Sequence, residues 1–483
     1  MMKPGLVGAV VAVLLTVAAS GGAETPTEKR LRQLEETLRK TQDEVQQLRR
    51  QLEQQKAIGQ ATQKQVEQTA EESKTATAEA KKAVELPDWL KRTTVFGDVR
   101  ARHEGFYHQP HTEGQDVTAR NRERIRARLG VRVAFGDELS ATIRGATGNP
   151  NDPISTNETL TGNFTRKNFN LDWAYLTFTP GASFNLRPGI ASFTAGKFPN
   201  PIFRVGEMVF DDDLSLEGAS ETFQLLDKPA GALDQVKVHA LQWTFSEIAN
   251  EQDGWMFGGQ VNPSMHFGDV QLEGGLGQYW WLNSDQIAQA LSKNTTAFTA
   301  SGAPVANSNF NSSLFNSNLL VTKTIQPPTT TAGKKPAAFT AITGYQSGFN
   351  QSNVTLAVTV PNVVLNQPVR LFTDYVYNWQ AATDDAHGWQ AGARLGQTKV
   401  RGDWSLYSFY EHLGQEAAIS AFTYSDFGLG GTNVEGPVVG LDYQLLNPLT
   451  LTARSHFVNF INRPAGMTNP TLTRLQLDAL VKF

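Results

Sequence analysis

The chain predicts an all-β transmembrane antiparallel β-barrel of about 16 strands, preceded by an α-helical coiled coil. Three observations predict it. Arg122, Arg124, Arg126 and Arg128 recur at every second residue, with Ile125, Ala127, Leu129 and Val131 on the opposite parity. That period of two makes a ribbon with one cationic edge and one aliphatic edge. From Thr94 to Phe483 similar segments of about ten residues recur, joined by connections short at one end and long at the other. The last segment carries Leu475, Leu477, Ala479 and Val481 on one stripe and ends on Phe483 in register with it.

A two-faced arginine strand also suits a soluble sheet with one solvated face, but a row of arginines on one strand repels itself. A nucleic-acid groove is disfavoured by the formal net charge of -4. With no cysteine among 483 residues, disulfides and thiolate metal sites are excluded. Past the N-terminus no apolar run reaches the roughly 18 residues that a membrane helix needs. The mean hydropathy of -0.34 fits a barrel, in which half of each strand is polar.

Residues 1–23 read as a signal peptide: Lys3, then the apolar core Leu6 to Ala19, then small residues around Ala23. Residues 24–86 change to Gln, Glu, Lys, Arg and Ala, with Leu31, Leu34, Leu38, Val45, Leu48 and Leu52 spaced by threes and fours. This heptad pattern predicts a periplasmic coiled coil that needs partner helices. Pro87 ends it. The barrel, 94–483, opens with Val95, Val99 and Ala101 facing one way and Asp98, Arg100, Arg102 and Glu104 the other.

Strands follow at the arginine ladder, Leu139–Thr147, Asn168–Thr179, Ile190–Phe198 and, more weakly, Glu221–Leu226. The next are Val236–Phe245, Trp255–Val261, Val270–Trp280, Val354–Val360 and Val369–Trp379. Gly388–Leu395, Trp404–His412, Glu435–Leu446, Leu449–Phe460 and Leu472–Phe483 complete the set. Residues 283–352 form a long Ser/Thr/Asn-rich extracellular insertion. An even count puts both termini at the short-turn, periplasmic rim.

The ordered motifs R-I-R-A-R-L-G-V at 124–131, A-T-G-N-P-N-D-P-I-S-T-N-E-T-L at 146–160, L-D-W-A-Y-L-T-F-T-P at 171–180, A-G-K-F-P-N-P at 195–201 and D-D-D-L-S-L-E-G at 211–218 resemble the bacterial putative porin family. The resemblance covers Thr94 to about Gly218, and beyond that rests on amphipathic strands and the terminal Phe. It implies a passive outer-membrane channel, often preceded by a coiled coil. Phe483 is similar to the terminal residue read by the outer-membrane assembly machinery.

On this reading Arg100, Arg102, Arg122, Arg124, Arg126, Arg128 and Arg144 form a cationic wall in the lumen. Residues 199–220 follow the fifth strand, where general porins carry a loop folded into the pore, and present Asp211, Asp212, Asp213 and Glu217. A basic wall opposite an acidic loop sets a transverse field at the constriction. Asp98, Glu104 and Glu123 can offset some of the arginines by cross-strand pairing. The sign of selectivity stays open, because acids outnumber bases in the barrel while the ladder is basic. Consecutive aspartates do not readily converge on one calcium ion. His103, His108 and His111 lack zinc-ligand spacing. No nucleophile-and-base set marks an enzyme, and no cofactor is expected. The expected partners are outer-membrane lipid, small hydrophilic solutes, further copies in a homotrimer and, through the coiled coil, peptidoglycan. The competing reading is a structural protein, either a tether between membrane and cell wall or a surface adhesin.

Overall fold

The structure, a computed structural model, describes residues 88–483 apart from 227, 249–251, 300–302, 331 and 429, with scattered helical positions between 27 and 69. The signal peptide lies outside the described residues. So does most of the heptad segment, although its described positions, including Leu34, Val45, Leu52 and Val66, are helical. Residues up to Pro87 and from Asp88 onward form two separate units.

The second unit begins with the short helix α1, Asp88–Lys91, and is dominated by one antiparallel sheet. Its spanning strands are β1 Thr93–Tyr107, β2 Arg120–Ala134, β3 Leu139–Thr147, β4 Phe169–Phe178, β5 Ala191–Pro199 and β6 Ser215–Gln224. Next come β7 Leu233–Ser246, β8 Gly254–Phe267, β9 Val270–Leu282, β10 Phe349–Val364 and β11 Gln367–Asn378. The circuit ends with β12 His387–Gly396, β13 Trp404–Leu413, β14 Val434–Leu446, β15 Leu449–Phe460 and β16 Leu472–Lys482. Each strand pairs with its sequence neighbour, and β16 pairs with β1 from Asp98↔Lys482 to Tyr107↔Thr473. The sheet is therefore a closed barrel with no free edge, which satisfies every strand in a solvent that offers no hydrogen bonds. A two-residue segment, Glu158–Thr159, adds to the rim of β2.

All sixteen expected strands are found, with revised ends. β6 begins at Ser215, six residues before the expected Glu221, and β10 begins at Phe349 where Val354 was expected. Both starts are rich in Ser, Gly, Ala, Asn or Gln, whose weak strand propensity hides the pairing. The fifth loop thus runs from 200 to 214 and not from 199 to 220, and Glu217 stands on β6. The long insertion, 283–348, contains the helix α2 (Asp285–Gln289) and two small hairpins, so it is not a plain solvated loop.

Outward positions are apolar and open, as with Val99, Leu129, Ile143, Leu371 and Leu441. Aromatic contacts ring both rims: Phe178, Phe193 and Phe223 at the short-turn end, and the Trp255–Phe257 and Trp389–Tyr410 stacks at the long-loop end. These are the two interfacial girdles of a membrane barrel. A cluster of buried apolar side chains lies inside the barrel, where Phe210 packs on Trp243, Tyr279 and Trp281.

The seam closes on Phe483, whose backbone exchanges hydrogen bonds with Gly97 at 3.1 and 3.0 Å. A Cβ at Gly97 would lie 2.3 Å from the Arg128 carbonyl oxygen and 2.8 Å from the Phe483 ring. Gly97→Leu is therefore expected to cost about 1–3 kcal/mol through overpacking. The check is a lower temperature for the folded-to-unfolded band shift on a denaturing gel, compared with Gly274→Ala, whose Cβ would meet only ordinary contacts at 3.5 Å.

Candidate pore and its lumen loops

The arginine ladder faces inward, but its guanidinium groups are buried against carboxylates. Arg126 and Arg128 both donate to Asp98, at 2.9 and 2.6 Å, and Arg128 also reaches Asp213 at 3.2 Å. Arg102 grips Asp478 with two bonds of 2.7 Å and Asp426 with one of 2.9 Å. Glu104, with a side chain that is 0% exposed, accepts bonds from Arg122, Arg474 and Gln476. Arg100 donates to Asn157 at 2.5 Å, and Arg124 to Ser155 at 3.1 Å. Arg144 pairs with Asp172 at 2.7 Å and lies 3.1 Å over the Trp173 ring. The register explains the set. Asp98↔Arg128, Arg100↔Arg126, Arg102↔Arg124 and Glu104↔Arg122 are directly opposite, so acids cap both ends of the ladder. Glu123 has the other parity and binds His103 on the outer face at 2.6 Å.

Two loops fold onto this wall. In the 200–214 loop, Asp213 reaches Arg128 and also accepts bonds from the Thr156 amide and hydroxyl, at 3.0 and 2.9 Å. Burial opposes its ionisation, yet Arg126 and Arg128 hold its pKa below the usual value. Asp212 pairs with Arg204 at 2.8 Å, largely exposed. Asp211 is buried and accepts the Ser425 amide at 2.8 Å, while its own amide donates to the Phe422 carbonyl at 2.9 Å. The 414–433 loop is thereby tied to the first loop. It places Asp426 against Arg102 and Arg474, which hold that carboxyl well below its ordinary range despite burial. The insertion covers this second loop from outside: Asn318 donates to the Gln415 and Ala418 carbonyls, and the Leu319 amide donates to Glu416. Glu217, by contrast, pairs with Lys197 at 2.7 Å away from this network.

Space is left beside the 200–214 loop and the β11–β13 wall, as well as in a larger cavity of about 460 Å³ lined by Lys197, Trp243, Met256 and Trp281. A cavity of about 340 Å³ is lined by Arg204, Glu207 and Asp212 of the loop and by Arg370, Arg394, Tyr407 and Arg454 of β11–β15, with Tyr424. Arg370 pairs with Glu273 at 2.9 Å and Arg394 with Asp442 at 2.8 Å. Arg454 donates to the hydroxyls of Tyr407 and Tyr424, at 2.7 and 2.8 Å. Apart from Asp212, none of these residues stood out in the sequence, because single arginines on separate strands make no pattern. One signal was available for the second loop: the apolar run Ala417–Phe422 followed by Gly-rich chain is unusual for a solvated connection. Among the described residues, no group of three or more His, Cys, Asp or Glu is arranged to hold a metal ion. Asp211, Asp212 and Asp213 point to different partners, and His108 and His111 lie in the first loop.

A closed, sixteen-stranded antiparallel barrel with aromatic girdles and loops folded into a polar lumen defines an outer-membrane porin. The chain belongs to the putative porin family, whose model matches residues 106–483. Similar solved structures include OprB of Pseudomonas putida at high pH, with 11% identity over 82% of this chain and 96% of that one and a TM-score of 0.46. Salmonella typhi OmpF in complex with daunomycin has 9% identity, coverage of 81% and 97%, and a TM-score of 0.45. A loop-deletion mutant of OmpT from Vibrio cholerae has 10% identity, coverage of 81% and 100%, and a TM-score of 0.41. No curated protein matches the chain.

Removing one partner from a buried ion network leaves a desolvated charge and costs about 3–5 kcal/mol, whereas an exposed pair contributes about 0–1. Glu104→Ala should therefore lower the thermal midpoint in detergent markedly, and Glu113→Ala, which removes an exposed loop pair with Arg463, should leave it nearly unchanged. Burial and the neighbouring Asp213 carboxylate push Asp211 up to about 8. The folded state then holds a proton that the unfolded chain releases earlier, so this contact weakens as pH rises from the ordinary carboxylate range through about 8. Protease cleavage within 414–433 should increase across that interval, and Asp211→Asn should remove the pH dependence.

Proposed function

We propose that this porin lets small hydrophilic solutes and ions diffuse passively through a water-filled path between the 200–214 loop and the β11–β15 wall. The observation that carries the reading is the cavity bounded by Arg204, Arg370, Arg394, Arg454 and Tyr407. The ladder and Asp213 are turned into a structural wall by their mutual pairing, so the transverse field acts between the loop's Asp212 and this second set of arginines. Three of those arginines have carboxylate partners, while Arg454 is held by two tyrosine hydroxyls. Burial and the neighbouring Asp211 and Asp212 carboxylates raise Glu207 well above the usual carboxylate range and favour its neutral form, which leaves a basic excess, and anions are the favoured ions.

The heptad segment supports an oligomer. Its described helical positions Leu34, Leu52 and Val66 are 67%, 54% and 62% exposed, an apolar stripe that calls for partner helices. A homotrimeric coiled coil in the periplasm would supply them, and such a rod could reach peptidoglycan.

Reversal potential under a salt gradient in planar bilayers tests the channel reading. The wild type should conduct in discrete steps with anion preference. Arg204→Gln combined with Arg370→Gln should reduce that preference several-fold, while Arg126→Gln should lower stability and leave the sign unchanged. Folded protein that passes no current would overturn the proposal.

A further inference from the structure

The larger cavity, about 460 Å³, lies at the long-loop ends of β5 to β9 and is built unlike the arginine-lined one. Its strand wall is aromatic, with Trp243 and Phe245 near the end of β7, Met256 at the start of β8 and Trp281 at the end of β9. Trp281 meets two further rings, Phe245 at 5.5 Å between centroids and Phe422 of the 414–433 loop at 5.5 Å, the latter stacked at 19°. The insertion supplies another wall through Gln286 and Ile287 of α2. That helix is pinned in place, because Asp285 accepts the Tyr345 amide at 2.8 Å and Gln289 donates to the Thr343 carbonyl at 2.9 Å. Packed interiors hold few voids larger than a water molecule. Ligand pockets are mostly apolar spaces of roughly 300–1,000 Å³ with a few placed polar groups, and this cavity matches them in size and lining.

Two buried polar atoms of its lining have no hydrogen-bond partner among the described residues: the Trp243 indole N–H and the Gln286 amide oxygen. Trp243 is 2% exposed and Gln286 8%. The Gln286 amide nitrogen donates to the Gln252 carbonyl, which fixes the oxygen as the free end. A buried donor or acceptor left unmade is costly, so a donor and an acceptor beside aromatic rings mark the edge of a ligand. Neighbouring polar groups are engaged within the protein. Asn311 donates to the Asn151 carbonyl at 2.7 Å and accepts the Ser313 amide at 2.9 Å, and the Ser215 hydroxyl donates to Asp172 at 2.7 Å. Lys197 is closed by Glu217 at 2.7 Å, and exposed Glu247 adds a second carboxylate to the lining.

These features select the chemistry of the occupant. A sugar would bring more hydroxyls than one free donor and one free acceptor can satisfy. An anion would meet two carboxylates against one lysine that is already paired. A neutral planar ring with an acceptor and a donor on its edge fits both the aromatic wall and the free polar atoms. We propose that this cavity binds a small neutral aromatic molecule bearing amide or hydroxyl groups. Its ring lies against Trp281, Phe245 and Met256, and its edge bonds to Trp243 and Gln286. The site goes beyond passive diffusion and does not rest on conduction, and it gives the 283–348 insertion a part in solute recognition.

Isothermal titration calorimetry of the full chain, folded in detergent, with 4-hydroxybenzamide as the probe tests this. The expected result is saturable binding of one molecule per chain, with 4-hydroxybenzoate and glucose both binding more weakly. Trp243→Phe keeps a ring but loses the N–H, and should weaken the amide about two- to tenfold. Ala290→Trp, at a buried position of the lining, fills the cavity and should abolish binding. Trp255→Phe, in the outer girdle, should leave it unchanged. Heat-modifiable bands on a gel establish that each variant is folded. No saturable heat from folded wild type, or binding that survives Ala290→Trp, would overturn the site. Binding that Trp243→Phe leaves unchanged would overturn the assigned edge, and tighter binding of glucose or 4-hydroxybenzoate would overturn the ligand class. A chain that binds the probe but passes no current would sink the channel reading alone, and current without binding would sink this one alone.

Discussion

The fold depends on the neutralisation of guanidinium groups inside a space that lipid seals from outside. A closed barrel pairs its backbone completely and turns alternate side chains inward, where arginines on β1, β2 and β16 meet at close quarters. Buried like charges of that density would drive the wall apart. Asp98, Glu104 and Asp478 answer them from the strands, and Asp213 and Asp426 answer them from two loops. The strand acids alone are outnumbered, so the loops are structural counter-ions as much as connections.

That requirement decides where the open path can be. Each loop carries one carboxylate to the ladder, and Asp211 then binds the backbone of the second loop, so the two become one inserted layer. The insertion over 283–348 fastens the layer from above through Asn318 and Leu319. Much of the barrel interior is thus filled by loop side chains, with Phe210, Met208, Tyr424 and Phe427 all buried. One of the spaces left lies where Arg204 of the loop stands with Arg370 and Arg394 of the wall. On the proposed channel reading, selectivity follows from arginines that lie far from the most conspicuous basic sequence in the chain.

The strands were legible because alternation is a local property. Sixteen of them could be read from short windows, including Leu449–Phe460 and Leu472–Phe483 with ends correct to within a residue. The start of β6 was not legible, since Ser215–Ser220 is small and polar on both faces, and this hid Glu217 from its true place on β6. The inward direction of the ladder and the pairing with Asp98 and Glu104 followed from parity alone. The loop partners did not. Asp426 is 324 residues from Arg102, and no pattern in one sequence joins a loop carboxylate to a strand so distant. The lumen arginines were hidden for a related reason, each being alone on its strand.

The same reasoning separates net charge from function. Acidic residues outnumber basic ones in the whole chain, which suggests a cation path if charge is summed. Summation is the wrong operation in a barrel whose carboxylates are committed to buried pairs. Asp98, Glu104, Asp213, Asp426 and Asp478 are spent on guanidinium groups and present little field to a passing ion. A group acts on solute only if its field is not already closed by a partner within bonding distance and if water reaches it. Arg454, held by neutral tyrosine hydroxyls beside the cavity, meets the first condition better than any member of the ladder. On the proposed channel reading, local compensation rather than composition sets the sign of the pore.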